Sequence, residues 1–174
     1  VLGIVRGHGG VIKVATKVGE GTTFTALFPI AGKGIEAETL ITADKWQGEG
    51  TVLLVDDEER VRTIGARMLE RLGFNVVVAC DGLEALRLLD RNPDKFVLVL
   101  LDLTMPKLNG EDTYNEMRTR GLSIPVILSS GYNEHEVVQR FAGKGLAGFI
   151  QKPYRLKGIE KILREFFESK RLKL

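Results

Sequence analysis

Ionisable and hydroxyl side chains follow several short apolar runs of this sequence. Asp56 and Asp57 follow the first run, and Asp102 follows the third. The serine pair Ser129–Ser130 ends the fourth run, and Lys152 ends the fifth. If these runs are parallel strands of one sheet, their carboxyl ends share the edge at which ligands bind. Because adjacent serines on a strand face opposite ways, the pattern predicts three carboxylates, one hydroxyl and one ammonium group at a single site.

The chemistry of such a set is that of a phosphoryl group and a metal ion. Three crowded carboxylates repel one another and need a cation, and oxygen ligands shared with a phosphate favour Mg²⁺. One carboxylate can then attack phosphorus, because an acyl phosphate on aspartate is a recognised covalent intermediate. The Lys152 ammonium and a serine hydroxyl could stabilise the phosphoryl oxygens.

The elements that must position these groups alternate regularly from residue 51 onward. Apolar runs alternate with segments whose apolar residues recur at helical spacing. Five successive strand–helix units imply a parallel sheet with helices on both faces, so we predict a doubly wound five-stranded α/β fold. The predicted strands are 52–55, 74–79, 97–101, 124–128 and 149–150, and the predicted helices are 59–72, one capped by Asp81, 110–120, 134–142 and 156–169.

The first thirty residues are rich in glycine and do not show the strand–helix alternation of residues 51–174. Residues 1–8 are predicted to end a helix that stops at two glycines. Residues 11–16 and 23–28 are predicted to form a β-hairpin, because both are rich in β-branched and aromatic residues and a glycine-containing turn joins them. A hairpin of this size is marginally stable alone.

Three segments are therefore expected along the chain. An N-terminal β-hairpin fragment occupies 1–30, a polar linker bounded by glycines occupies 31–50, and the α/β domain occupies 51–174. Trp46 is the one aromatic residue of the linker, and we expect it to pack on a neighbouring element.

The composition excludes several classes of protein. The 174 residues carry 25 Lys and Arg against 23 Asp and Glu, so binding of nucleic acid by bulk electrostatics is not expected. No apolar run reaches the roughly 20 residues that cross a bilayer, so we expect no membrane contact. The single cysteine, Cys80, excludes an internal disulfide and is predicted to be buried. Because the chain begins at Val1, we expect it to be a piece of a longer polypeptide.

Four motifs resemble the receiver domain of response regulators. They are LVDDE at 54–58, LDLTMPKLNG at 101–110, SSGY at 129–132 and QKPY at 151–154. The resemblance covers about residues 50–170, with the motifs in the family's order. It implies the flavodoxin-like receiver fold, with strand order 2-1-3-4-5.

The resemblance also implies a phosphoacceptor and a metal site. Asp102 would be the phosphoacceptor. Asp57 and Asp102 would bind Mg²⁺ together with the backbone carbonyl of Thr104. Asp56 would hold the ion through water.

Further residues match the part of the family's motif that responds to phosphorylation. Ser130, the fifth residue after Pro125, would be the switch hydroxyl. Phe149 would be the switch aromatic residue, and Lys152 would contact the phosphoryl group. The resemblance also implies a cis bond between Lys152 and Pro153, a form that X-Pro bonds adopt at low cost.

The N-terminal segment resembles the end of a histidine kinase ATP-binding domain. The similarity rests on GIVRGHGG at 3–10 and GEGTTF at 19–24. The family's asparagine-bearing helix, its Asp-x-Gly-x-Gly segment and its lid are not present. We therefore expect neither ATP binding nor kinase activity from this chain, and the segment order implies the C-terminus of a hybrid histidine kinase.

The resemblance implies a place in a two-component phosphorelay. The donor would be a phosphohistidine, either in the parent's own kinase core or in a separate kinase, and a histidine phosphotransfer protein could follow. We expect a cytoplasmic location, with any membrane anchor of the parent upstream. An unpaired hairpin edge favours a homodimer.

Two other functions are compatible with the fold. The first is an interaction module that keeps the receiver fold and is not phosphorylated, which the intact Asp57, Asp102, Ser130 and Lys152 disfavour. The second is an aspartyl-phosphate phosphatase. Such enzymes carry a second aspartate two residues after the nucleophile, whereas Thr104 stands there in this chain.

Overall fold

The computed structural model of the chain describes Val5, residues 9–29, 46–131, Phe141 and residues 145–171. Its contacts divide it into two compact units, Val1–Asp44 and Lys45–Leu174. The helix end predicted at residues 1–8 lies outside the described residues except for Val5.

The first unit contains the predicted β-hairpin. Strand β1 (Val11–Lys17) pairs antiparallel with strand β2 (Gly21–Leu27). Gly19 and Gly21 have φ values of 81° and 105°, which side chains rarely adopt, so glycine suits this turn. Several large apolar side chains of the hairpin are exposed, with Phe24 at 67% and Val18 at 98%.

The second unit is built on a five-stranded parallel sheet. Its strands are β3 (Thr51–Val55), β4 (Asn75–Ala79), β5 (Phe96–Asp102), β6 (Val126–Ser130) and β7 (Gly148–Gln151). Their spatial order is β4-β3-β5-β6-β7, and all four neighbouring pairs are parallel. The predicted order 2-1-3-4-5 is therefore confirmed.

Helices cover both faces of this sheet. They are α1 (Glu59–Arg71), α2 (Gly82–Arg91), α3 (Gly110–Thr119) and α4 (Leu156–Arg171). Helices α2 and α3 bury apolar side chains in one core cluster, and α1 and α4 bury theirs in a second cluster. This arrangement confirms the doubly wound fold. The helix predicted at 134–142 lies outside the described residues except for Phe141.

The end of strand β4 contains one confirmed and one wrong prediction. Asp81 caps helix α2 as expected, because its side chain accepts a hydrogen bond of 2.8 Å from the Glu84 backbone N–H. Cys80 is exposed, so the prediction of a buried thiol was wrong. The buried Ala79 takes the inward position, and the alternation of side chains turns the next residue outward on this edge strand.

Trp46 belongs to an aromatic cluster of the second unit, which confirms its expected packing role. Its ring centroid lies 6.0 Å from that of Phe74 and 6.4 Å from that of Phe167. The Gly48 backbone N–H also donates to the Leu72 carbonyl, at 2.8 Å. The segment before strand β3 is thus held against helix α4 and the end of helix α1.

Among the helices of the described residues, none combines the length and the apolar character needed to cross a bilayer.

Candidate functional site

Three carboxylates meet where strands β3 and β5 end. Asp56 and Asp57 follow β3, and Asp102 is the last residue of β5. One oxygen atom of each side chain lies within 4.8 Å of the other two. The parallel pairing of β3 with β5 produces this convergence, because both strands end at the same edge of the sheet.

Asp56 is the most enclosed of the three acids. Its side chain is fully buried, and Oδ1 accepts a hydrogen bond of 3.0 Å from the Glu58 backbone N–H. Oδ2 lies 2.6 Å from the Lys152 ammonium, and the backbone carbonyl accepts a hydrogen bond of 2.6 Å from Arg62. Oδ1 and the backbone oxygen of Asp56 therefore accept hydrogen bonds, whereas the buried Oδ2 has the ion pair with Lys152 and, among the described residues, no hydrogen bond. The Asp57 side chain is exposed.

Lys152 bridges two of the carboxylates. Its Nζ atom lies 2.6 Å from Asp56 Oδ2 and 3.0 Å from Asp102 Oδ2. Burial acts to lower the pKa of Lys152, but the ion pairs with the two acids outweigh it and raise that pKa above its usual value. The ammonium is thus held in its charged form and offsets the repulsion between Asp56 and Asp102.

Asp102 combines burial with a contact to the Lys152 ammonium. Its residue is 4% exposed, and burial raises the pKa of its carboxyl, while the hydrogen bond from Lys152 opposes that shift. The nearby Thr104 backbone N–H also acts to lower that pKa. Gly110 lies directly behind, where a Cβ atom would stand 2.2 Å from the Asp102 carbonyl oxygen. Only glycine fits this close approach.

The loop from Leu103 to Asn109 is held to helix α2. Lys107 has a φ of 66°, unusual for a residue with a side chain, and its Nζ atom lies 2.6 Å from Asp81 Oδ2. This ion pair was not predicted, because 26 residues separate the two partners. It ties the loop that carries the Thr104 carbonyl to the start of the helix.

Strands β6 and β7 position the remaining predicted residues. Ser130 is fully buried at the end of β6, and Phe149 of β7 is half-buried against the cluster formed by helices α2 and α3. The peptide bond between Lys152 and Pro153 is cis, as predicted.

Tyr154 contributes a contact that the sequence did not indicate. Its hydroxyl donates a hydrogen bond of 2.9 Å to the Ser129 hydroxyl, and burial raises the pKa of Tyr154 to about 12. An aromatic residue two places after the lysine was visible in the sequence, but its partner on another strand was not.

A shallow cavity of about 370 Å³ adjoins the Lys152 side chain. Its apolar lining comes from Val61 and Ile64 of helix α1 and from Pro153 and Tyr154. Ile64 is 52% exposed. The carboxylate site therefore has an apolar wall on its α1 side.

Comparison with known proteins identifies the family. Residues 52–164 match the response regulator receiver domain. The chain belongs to the response regulator receiver family. The match covers the sheet from Val52 onward, helices α1 to α3, the first half of α4 and every residue of the receiver site described above.

Individual relatives of this receiver domain include a sensor kinase. The chain is 32% identical over 181 residues to the sensor kinase CckA of Brucella abortus, a match that covers 97% of this chain and 19% of the kinase. It is 27% identical to the aerobic respiration control sensor protein ArcB of Escherichia coli, covering 95% of this chain and 22% of ArcB. The chain thus spans about a fifth of these relatives.

Solved structures show the same receiver fold. The receiver domain of the hybrid histidine kinase CckA is 30% identical with a TM-score of 0.56, covering 67% of this chain and 98% of that one. A CheX–CheY–BeF3–Mg²⁺ complex from Borrelia burgdorferi is 28% identical with a TM-score of 0.63, covering 68% of this chain and 89% of that one.

Proposed function

We propose that this receiver domain accepts a phosphoryl group on Asp102 from a phosphohistidine, as one step of a two-component phosphorelay. The observation that carries the proposal is the position of Lys152. Its ammonium lies 3.0 Å from Asp102, which clusters with the exposed Asp57. A cation is therefore already next to the carboxylate that would become phosphorylated.

The donor atoms at the site suit Mg²⁺. All are oxygens, which this ion prefers, and the cluster leaves one carboxylate open to solvent. Asp57, Asp102 and the Thr104 carbonyl would hold the ion directly. Asp56, which is fully buried, would hold it through water. Bound Mg²⁺ would supply charge neutralisation at the phosphoryl oxygens.

The residues of the chain carry the transfer itself. An Asp102 carboxylate oxygen forms a bond to phosphorus as the bond from phosphorus to the histidine nitrogen breaks. Lys152 moves its interaction from Asp102 to a phosphoryl oxygen, and Ser130 donates a hydrogen bond to another. The shift of Ser130, together with the inward turn of Phe149, would pass the change to the surface around strand β7.

The apolar wall beside Lys152 supports a protein donor. A cavity lined by Val61, Ile64 and Tyr154 adjoins Lys152. Apolar side chains of a phosphohistidine-bearing protein could pack there, next to the reacting carboxylate. We propose a cytoplasmic donor, either the parent's own kinase core or a separate histidine kinase. A histidine phosphotransfer protein would be the acceptor of the next step.

The match to CckA along 97% of this chain supports a hybrid histidine kinase as the parent. On this proposal residues 1–30 are the end of its ATP-binding domain, 31–50 a linker and 51–174 the receiver, with the end of the linker, from Trp46, packed on the receiver unit. The exposed apolar residues of the hairpin would pair two copies. Gel filtration of the full chain beside residues 45–174 tests that pairing, and monomers in both samples would contradict it.

The decisive experiment is intact-mass spectrometry after incubation with acetyl phosphate and Mg²⁺. We expect a phosphoryl adduct on the wild type, no adduct on Asp102→Asn, and loss of the wild-type adduct when the metal is chelated. An adduct that survives on Asp102→Asn would contradict the assigned acceptor. Absence of both the adduct and Mg²⁺ binding would favour the interaction module that is not phosphorylated.

A further inference from the structure

The Tyr154 hydroxyl takes no part in the transfer proposed above, yet it is bonded to the strand residue next to Ser130. We propose that Tyr154 is a positioning residue for Lys152, whose hydrogen bond to Ser129 keeps the lysine ammonium between Asp56 and Asp102. The inference rests on the proposed function, because it assigns the ammonium its place before the phosphoryl group arrives.

The anchor point lies on the strand beside the acceptor. Tyr154 Oη donates to Ser129 Oγ at 2.9 Å, and Ser129 is fully buried. Ser129 is the register partner of Asp102 in the pairing of β5 with β6. The hydrogen bond therefore connects the segment after β7 directly to the neighbour of the reacting residue.

A second bond attaches the same segment one residue further along β6. The Lys152 backbone N–H donates to the Ser130 carbonyl at 2.8 Å. The backbone of Lys152 and the side chain of Tyr154 are thus held by consecutive residues of one strand. Between them stands Pro153, whose ring restricts φ. A long lysine side chain reaches a defined point only if its backbone is held in this way.

The ring and the hydroxyl of Tyr154 have separable roles. The ring packs against the core cluster of helices α1 and α4 and approaches Gly65 of α1. Phenylalanine would fill that space equally well. A buried hydroxyl costs free energy unless it is bonded, so the hydroxyl matters through its bond to Ser129.

The first test is the rate of phosphorylation by acetyl phosphate in a set of variants. We expect Tyr154→Phe and Ser129→Ala each to slow the reaction about three- to tenfold, as for loss of one hydrogen bond. The double variant should be no slower than either single variant. In a Lys152→Ala background, Tyr154→Phe should cause no further slowing.

The matched control is Tyr114→Phe, a buried tyrosine of helix α3 in the opposite core cluster. It should keep the wild-type rate. Ser129→Thr, which retains a hydroxyl, should recover most of the rate lost in Ser129→Ala. An equal slowing by Tyr154→Phe with and without Lys152 would overturn the inference, as would a wild-type rate in Tyr154→Phe.

The second test reads Mg²⁺ affinity by calorimetry and needs no phosphoryl transfer. The ammonium competes with a cation for Asp56 and Asp102, so loosening it in Tyr154→Phe should tighten Mg²⁺ binding about two- to fivefold. The gain should vanish in Lys152→Ala. If the wild type takes no phosphoryl group but this gain is seen, the proposed function fails and the positioning role stands.

A double-mutant cycle in unfolding free energy provides a readout without any ligand. The effects of Tyr154→Phe and Lys152→Ala on the unfolding free energy should not be additive. Tyr154→Phe loosens the lysine ammonium, and Lys152→Ala removes it. Simple additivity of the two changes, together with unchanged Mg²⁺ affinity, would overturn the inference.

Discussion

The three carboxylates of the site differ because their neighbours differ. Asp56 is fully buried, Asp102 is buried beside an ammonium, and Asp57 is exposed. The Lys152 ammonium bridges two of the three acids, Asp56 and Asp102, so the three-carboxylate cluster keeps a surplus of negative charge. A site of this kind lowers the stability of the unliganded protein, and the same charge enables it to bind a cation.

Replacement of Asp57 should change both the stability and the response to Mg²⁺. Without Mg²⁺, Asp57→Asn should raise the free energy of unfolding by about 0.2–1 kcal/mol, because one repelling charge is removed. Added Mg²⁺ should then raise the melting temperature of the wild type but not that of the variant. Thermal unfolding with and without Mg²⁺ measures both effects.

The matched control is Asp94→Asn, an exposed acid in the short 3₁₀ turn before strand β5. It should change neither the stability nor the response to Mg²⁺. A variant of Asp57 that is less stable than the wild type in the absence of Mg²⁺ would contradict the charge argument.

At the scale of elements, the loop after β5 is held at both ends. Gly110 packs on the carbonyl of Asp102, and the ion pair between Lys107 and Asp81 joins the loop to helix α2. Gly82 contributes as well, because a Cβ atom there would lie 2.0 Å from the Thr113 hydroxyl oxygen. The position of the Thr104 carbonyl therefore depends on packing as well as on hydrogen bonds.

Gly110→Ala should disturb this loop directly. A methyl group 2.2 Å from a backbone oxygen forces the chain apart, and we expect a loss of about 1–3 kcal/mol in unfolding free energy. Denaturant titration measures it. Gly158→Ala is the control, since Gly158 lies in helix α4 and a Cβ atom added there would have no other atom within 4 Å. That change should raise stability by about 0.5–1 kcal/mol.

The Asp81 contacts should depend on pH. Its hydrogen bond from Lys107 lowers the pKa of Asp81, so the stabilisation is present above the ordinary carboxyl pKa of 3.8 and is lost as the pH falls through the lower folded value. At pH 7, Asp81→Ala should cost about 1 kcal/mol through the lost helix cap. The difference in unfolding free energy between wild type and Asp81→Ala should become smaller below about pH 4.

Denaturant titration across this pH range checks the effect. Asp81→Asn provides the comparison, because asparagine can cap the helix but cannot form the ion pair. A gap between wild type and Asp81→Ala that stays constant down to pH 2 would contradict the assignment.

Much of the fold and the site follows from local patterns. The apolar runs before Asp57, Asp102 and Lys152 predict strands, and the parallel order then brings those residues to one edge. The contacts of Tyr154 with Ser129 and of Lys107 with Asp81 could not be predicted. Each joins elements that are distant in sequence, and side-chain type alone does not select the partner.

At the scale of the whole molecule, the receiver site lies entirely within the second unit. That unit begins at Lys45, because the aromatic cluster and the hydrogen bond from Gly48 attach residues before β3 to it. The hairpin unit supplies none of the receiver-site contacts described above. The chemistry of the site is therefore expected to be separable from the hairpin.

Two shortened chains test this division. Residues 45–174 should keep the Mg²⁺ affinity and the acetyl phosphate rate of the full chain. Residues 51–174 lack Trp46 and should be less stable than 45–174 by about 2–4 kcal/mol, in line with the removal of a large aromatic side chain. Denaturant titration compares the two, and equal stability would contradict a structural role for residues 45–50.

The packing of Trp46 also has an optical consequence. It is the one tryptophan of the sequence, and its indole lies among the rings of Phe74 and Phe167, partly shielded from water. Its fluorescence therefore reports on a single place, the junction between the start of the receiver unit and its last helix. Any event that separates that junction should shift the emission to longer wavelength, so the chain carries its own spectroscopic probe and needs no added label.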